Sequence, residues 1–221
     1  MAITVNGQLI LSMLCEQLSS IEGVKMVMAN TDGCELVIPK NKKKEVYNVC
    51  LSIEKLTQLQ LEYDVYEKLF VRDINNYLGV STKGKVKTKG AFDIDLELHK
   101  NRSERIVPIA VRRYFVDDIP VEETIKNHLS SENYGDLENQ GIYDFCIGKK
   151  IQSNQNYTIE DKDENIIKNI DDKVIRFYVS ENGNYLKKNY SDGRKEITVG
   201  GNKINMFMDY YDSKNYNIDY N

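Results

Sequence analysis

Apolar positions recur along the chain in two rhythms. Over residues 7–21 they return at helical spacing, with Leu9, Ile10, Met13, Leu14, Leu18 and Ile21 on one stripe. Asn6 stands where an N-cap is wanted, and Glu22-Gly23 stops the run. Two short apolar runs follow, residues 24–29 and 34–38, joined by the turn formers Asn30-Thr31-Asp32-Gly33. That pattern predicts a β-hairpin with the Asp32 carboxylate at its tip. Pro39 closes the second run. Asn41 then opens a second helix over residues 42–58, with Val46, Val49, Cys50, Ile53 and Leu56 on one side. Lys42, Lys43 and Lys44 fall in its first turn, where the helix dipole opposes them. They are either a solvated face or a sign that the charge has a use.

The rhythm next becomes strand-like. Residues 59–73 read as extended, residues 76–82 as a strand, Lys83-Gly84 as a turn and residues 85–92 as a further strand. Both helical stripes need the same sheet face to be buried, so residues 1–92 predict an α+β layer with Asp32 at one end of the sheet. Residues 93–105 read as a charged connector. Helices follow over 108–116, with Pro108 in the first turn, and over 121–129, where Pro120, Glu122 and Glu123 suit the N-terminal end. Residues 130–141 read as a polar loop. Strands are expected over 142–151, 173–180, 185–189 and 196–199, forming a small meander divided by Glu181-Asn182-Gly183-Asn184, Ser191-Asp192-Gly193 and Gly200-Gly201. The tail, 208–221, reads as a packing or frayed segment. Its tyrosines 210, 211, 216 and 220 suit base stacking, but its acidic residues oppose that use.

Composition changes the picture in three ways. The 221 residues are enough for one large domain or two small ones. No run reaches the roughly 20 apolar residues of a membrane span, and the start of the chain lacks the features of a signal peptide. A cytoplasmic protein without membrane contact is the expectation. Cys15, Cys34, Cys50 and Cys146 lie far apart with no Cys-x-x-Cys spacing, which argues against zinc and for a reduced cytosolic setting. His99 and His128 are isolated and read as surface or cap residues. The net charge of −4 argues against blanket binding to nucleic acid and leaves room for a local basic patch.

Two features carry candidate chemistry. Asp32 on a tight hairpin suits a divalent metal or a polar ligand, although most Asp-Gly turns are only turns. Lys83, Lys85, Lys87 and Lys89 recur with a period of two and share one face of a strand, about 6.6 Å apart; the row shrinks to three if Lys83 lies in the turn. Such a row can follow a phosphate backbone, and it equally protects an edge strand from aggregation.

The order of these motifs resembles the C-terminal palm and early thumb of a family B DNA polymerase of bacteriophage type. Ile3-Thr4-Val5-Asn6-Gly7-Gln8 is similar to the segment that opens the helix before the catalytic hairpin. Asn30-Thr31-Asp32-Gly33 sits where that family has Asp-Thr-Asp-Ser. Asn75-Asn76-Tyr77-Leu78-Gly79 resembles the Lys-Lys-Arg-Tyr strand motif, and Lys89-Gly90 the Lys-Gly of the next strand. The run 114–125 resembles the early thumb. The resemblance implies residues 1–92 as the C-terminal part of the palm and 93–221 as a thumb-like region. It implies Asp32 as a catalytic ligand of Mg2+, with Asn76, Tyr77, Lys85, Lys87 and Lys89 holding primer–template DNA. Deoxynucleoside triphosphates would be the other substrate. Asn30 departs from the family's first aspartate, and Asn75 and Asn76 from its basic residues. The second metal-binding acid and the lysine-bearing finger helix are not found in this chain, so a partner N-terminal polymerase polypeptide is implied. The competing expectation is a non-catalytic DNA-binding module or a decayed remnant. A nucleotide cyclase shares the topology, but needs a second acid and a guanine-reading site that do not appear here.

Overall fold

Helix α1 runs over Ala2–Ser19, further towards the N-terminus than its apolar stripe predicts. Asn6 therefore lies inside the helix rather than at its cap. In the computed structural model, residues 2–94, 103–130, 140–207 and 216–220 are described. They divide into two compact units, Met1–Gly90 and Ala91–Asn221. Only part of the α1 stripe is covered: Leu14 and Leu18 are buried, whereas Leu9 and Met13 are exposed. The covered arc is the part of α1 that meets the other elements of the first unit.

Strands β1 (Lys25–Ala29) and β2 (Cys34–Val37) form the antiparallel hairpin, with a bulge at Val27. A 3-10 turn at Lys40–Lys42 leads into α2 (Lys43–Thr57). Asn41 belongs to that turn and is not the cap; Lys42 holds the cap position without a side-chain cap bond. Lys42 is answered instead by Glu45 at 2.8 Å, which offsets its unfavourable place at the positive end of the helix. Val46, Cys50 and Ile53 join Leu14, Leu18, Ile21 and Val24 in one core, with Cys34, Leu36, Ile38 and Val49 packed against it. Leu56, expected on that side, is 68% exposed, because the buried arc of α2 ends a turn earlier. Gln58 ends α2 in the left-handed conformation, φ 58°. Glu54 then accepts the Leu61 N–H at 2.8 Å, which holds the following segment so that Leu61 reaches the core.

A separate three-stranded antiparallel sheet completes the first unit: β3 (Tyr66–Asp73), β4 (Asn76–Ser81) and β5 (Val86–Lys89), in that order. Two sheets thus stand where a single layer was expected. Gly79 is needed at the centre of the second, since a Cβ there would lie 2.6 Å from the Tyr66 ring.

The second unit begins with α3 (Ile106–Asp117) and α4 (Val121–Asn127). Its strands are β6 (Ile147–Lys150), β7 (Asn156–Glu160), β8 (Ile166–Ile170), β9 (Val174–Asn189), β10 (Lys195–Ile197) and β11 (Ile204–Met206). They form one antiparallel sheet around the 16-residue β9. Its first half pairs with β6 and β11, its second with β7 and β10. The turn expected at Glu181-Asn182-Gly183-Asn184 is absent. Gly183 is part of β9, and the space a Cβ would fill there holds the Lys203–Ile204 backbone. The glycine admits a crossing chain rather than a reversal. Residues 142–145, the start of the strand expected over 142–151, instead belong to a 3-10 turn at Gly141–Phe145, and the β7–β8 hairpin was not foreseen. Its reversal is held by Asp161, whose carboxylate accepts N–H bonds from Asp163 and Asn165.

Two buried polar networks lie in this unit. Asp144 accepts from Arg105 at 2.5 Å, from the Gln140 N–H at 2.7 Å, and bonds His128 Nε2 at 2.7 Å. His128 is therefore a core residue, 1% exposed, and not the surface or cap residue its isolation suggested. Its partner Asp144 lies 16 residues away in sequence, and the Arg105 that shares that carboxylate lies 23 residues away. His99, Tyr210, Tyr211 and most of the 93–105 and 130–141 segments lie outside the described residues. Tyr216 and Tyr220 pack edge-on against Tyr178 and Phe145. Among the described residues no helix is long and apolar enough to cross a membrane.

The second network centres on Glu160, covered by Lys187 at 3.1 Å and Lys195 at 2.7 Å, with Thr158 donating at 2.9 Å. Burial pushes the Glu160 carboxyl up, but the lysine and threonine donors outweigh it and hold it below the ordinary glutamate value of 4.5. The stabilisation this gives is present above that value and is lost as pH falls through the lowered one. Urea unfolding should show Glu160→Gln less stable than the parent at pH about 7, with the gap closing by about pH 3. A gap that stays constant over that range would rule the network out as the source.

Candidate functional site

The hairpin turn is built by Asn30. Its side-chain oxygen accepts the N–H of Asp32 at 2.8 Å and of Gly33 at 3.0 Å, and its backbone N–H donates to Gly33 O at 2.9 Å. The amide that departs from the family pattern thus fastens the turn and has both acceptor positions engaged. Asp32 is exposed, and no partner for its carboxylate occurs among the described residues. An open groove of about 630 Å³ runs beside the turn, lined by Gln8, Leu11, Ser12 and Cys15 of α1, by Ala29, Asn30 and Thr31, and by Ile74. Ile74 belongs to the β3–β4 turn, so the hairpin tip and that turn share one groove.

Asn76 opens β4 directly after that turn. Its amide donates to both oxygens of Asp73 at 2.7 and 2.8 Å, and the Asn75 N–H adds a bond at 2.9 Å. The Asn76 donor, then that of Asn75, holds the Asp73 carboxyl below the usual range. Tyr77 follows and is buried, 6% exposed as a residue. Its cross-strand partner is Lys89, whose Nζ lies 5.9 Å from the Tyr77 ring centroid. Gly90 has φ 66°, and a Cβ there would overlap the Asn75 carbonyl and the Asn76 side chain. The motif residues Asn76, Tyr77, Lys89 and Gly90, separated by up to 14 positions, thereby form one constellation.

Gly90→Ala should therefore cost more than Gly84→Ala. Gly84 also has positive φ, 78°, but open space around it. We expect about 1–2 kcal/mol for the left-handed conformation at Gly84 and about 1–3 kcal/mol more at Gly90 for overpacking, read from urea midpoints. Equal losses would contradict the crowding.

The lysine row is divided by its neighbours. Lys83 lies in the β4–β5 turn and Lys85 just before β5, so two lysines, Lys87 and Lys89, remain on the strand, which is a sheet edge; the expected row of three or four is shortened because the turn reaches further than the sequence suggested. Lys85 is exposed. Lys87 pairs with Asp64 at 3.1 Å, and the Asp64 carboxylate also accepts from Tyr66 at 3.3 Å. Hydrogen bonding to Asp64 raises Lys87 above the ordinary lysine range. Glu35 of β2 feels the same cluster: burial raises its carboxyl, Lys87 opposes that and Asp64 adds to it. The sequence pattern gave no sign of this cluster, because its members come from three separate elements.

A bound Mg2+ would find one carboxylate here. The Asn30 oxygen is already engaged, and no group of three or more His, Cys, Asp or Glu side chains able to hold a metal occurs among the described residues. Asp32 fits one ligand position, and the rest of such a site must come from elsewhere. No protein-family model matches the chain, and no curated protein matches it. The architecture defines an α+β protein of two units, the first carrying an exposed carboxylate on a hydrogen-bonded turn whose residues Asn30 and Thr31 line a groove.

Proposed function

We propose that this chain is the C-terminal palm and thumb portion of a phage-type family B DNA polymerase. It contributes one metal-binding aspartate and primer–template contacts, and is active only with a polypeptide that supplies the remaining palm and the fingers. The observation that carries this reading is the exposed Asp32 carboxylate on the Asn30-fastened turn, whose neighbouring residues Asn30 and Thr31 line a groove shared with Ile74 of the turn before Asn76 and Tyr77. In such enzymes two Mg2+ ions stabilise charge on the attacking and leaving oxygens of phosphoryl transfer. Asp32 supplies one ligand position. Lys85 and Lys89 offer donors to the DNA backbone, with the buried Tyr77 ring as the platform on which Lys89 rests, and Asn76 can donate to a phosphate only by releasing Asp73. Lys87 reaches a phosphate only by releasing Asp64.

Charge supports placing the DNA contacts in the first unit. Residues 1–90 hold 12 Lys and Arg against 10 Asp and Glu, while residues 91–221 hold 18 against 24. The second unit is then a poor electrostatic partner for DNA by itself.

Primer extension by the chain mixed with a candidate N-terminal polymerase polypeptide tests the reading. Extension that requires both polypeptides and Mg2+ is expected. A mixture that assembles on primer–template but extends nothing would defeat it. The second reading, a non-catalytic DNA-binding module, is favoured by the single carboxylate at the turn. It predicts that the chain binds primer–template equally well with and without Mg2+, partner present or not.

A further inference from the structure

Residues 216–220 are held as a strand added to β9. On one edge of β9, β6 pairs with residues 174–177 and β7 with residues 185–189, while β11 and β10 take the other edge. Segment 216–220 fills the gap between β6 and β7, with Ile218 opposite Ser180 in an antiparallel bridge. The Glu181 N–H donates to the Asn217 carbonyl at 2.8 Å, and the Asp219 N–H to the Val179 carbonyl at 3.4 Å. The buried Ser180 hydroxyl lies 2.9 Å from the Asn217 carbonyl and 3.1 Å from that of Tyr216. Across β9, Lys203 pairs with Asp219 at 3.0 Å.

Side chains of the segment alternate in and out, the mode by which a sheet edge recognises an extended peptide. Ile218 is buried in a cluster with Ile142, Cys146 and Tyr178. Tyr216 packs edge-on against Tyr178 and Tyr220 against Phe145, while Asn217 is exposed. The gap therefore selects the pattern Tyr-x-Ile-Asp-Tyr. The hold is local: two main-chain bonds, one of them long, one ion pair and one fully covered side chain. A strand so held opens at a lower cost than the unit as a whole, and β9 keeps its four other partners when it leaves. Eight residues, 208–215, join it to the β11 side. They span at most about 26 Å, enough to reach the site on the same copy or on an adjacent one.

We propose that this gap is a strand-addition site that takes segment 216–220 from a second copy of the chain as well as from its own. Two copies exchange the segment reciprocally, each giving one and receiving one. A two-fold dimer closes in which every contact of the segment in the single copy is kept. The occupant is fixed by what the site already holds, since a second copy carries the identical sequence. This inference is independent of the polymerase reading and survives its failure.

Lys203 and Asp219 are an amine and a carboxylate in contact, so a carbodiimide joins them without a spacer. Unlabelled and 15N-labelled protein are mixed, cross-linked and digested, and the Lys203–Asp219 peptide pairs are weighed. Exchange competes with an intramolecular site at an effective concentration of about 1 mM, so the mixture is equilibrated up to that concentration. Pairs of one light and one heavy peptide are expected, rising with protein concentration. Pairs of a single isotope at every concentration overturn the proposal. A second check places Lys203→Glu in one full-length copy and Asp219→Lys in another. Alone, each sets like charges between site and segment, whereas reciprocal exchange between the two restores opposite charges at both sites. Sedimentation of the mixture should show at least about tenfold more dimer than either variant alone, since two ion pairs favour it. A mixture no more dimeric than its components overturns the proposal.

Discussion

Asp144→Ala is expected to destabilise the second unit by about 3–5 kcal/mol, the usual loss when one member of a buried ion pair is removed. Asp144 has no exposed side-chain surface, and Arg105 has 4%. The carboxylate is the common acceptor for Arg105, His128 and the Gln140 N–H. Without it the guanidinium is left in the interior with the Ile94 carbonyl, at 3.4 Å, as its remaining acceptor among the described residues. A charge buried with so little compensation costs several kcal/mol. A typical domain has only about 5–15 kcal/mol to lose, so the variant should unfold at much lower urea, monitored by tyrosine fluorescence. Asp144→Asn keeps the shape and one acceptor oxygen, and should fall between parent and alanine. A loss below about 1 kcal/mol for Asp144→Ala, the scale of an exposed pair, would mean that the network does not hold the unit together.

Asp32→Asn is expected to abolish primer extension by the reconstituted mixture while leaving its affinity for primer–template intact. Metal-bound charge contributes several kcal/mol to phosphoryl-transfer transition states. At about 1.4 kcal/mol per tenfold, removing one ligand charge should slow extension by about 100-fold or more. The fold should not change. Asp32 is exposed, the turn is held by Asn30 rather than by the Asp32 carboxylate, and an asparagine backbone N–H can still donate to Asn30. Anisotropy with labelled primer–template supplies the binding control, and single-turnover extension the rate. Full extension by the variant would remove Asp32 from the chemistry. Loss of binding together with extension would make it a structural residue instead.

Local pattern made the first unit largely legible. Asn-Thr-Asp-Gly between two apolar runs is a hairpin whatever surrounds it, because the reversal is set by the turn residues themselves. The β3–β4–β5 strands were readable for the same reason. What the sequence hid depends on partners far along the chain. His128 looks isolated until Asp144 and Arg105 are brought to it. Cys34 and Cys50 look unrelated until β2 and α2 share one core. Gly183 sits in a run that reads as a turn, and its actual neighbour, the backbone at Lys203, lies 20 positions away. Leu9, Met13 and Leu56 show the opposite error, since helical spacing marks an apolar face without saying how far along it the covering elements reach.

The 16-residue strand Val174–Asn189 has a kinetic consequence. Four strands drawn from residues 147 to 206 hydrogen-bond to it, on both sides of each of its halves. Neither half of the sheet can close before this common member is placed, and each closure spends loop entropy before it gains contacts. The second unit should therefore fold as one slow cooperative step, and cutting the chain within Val174–Asn189 should dissolve the whole sheet rather than trim its edge.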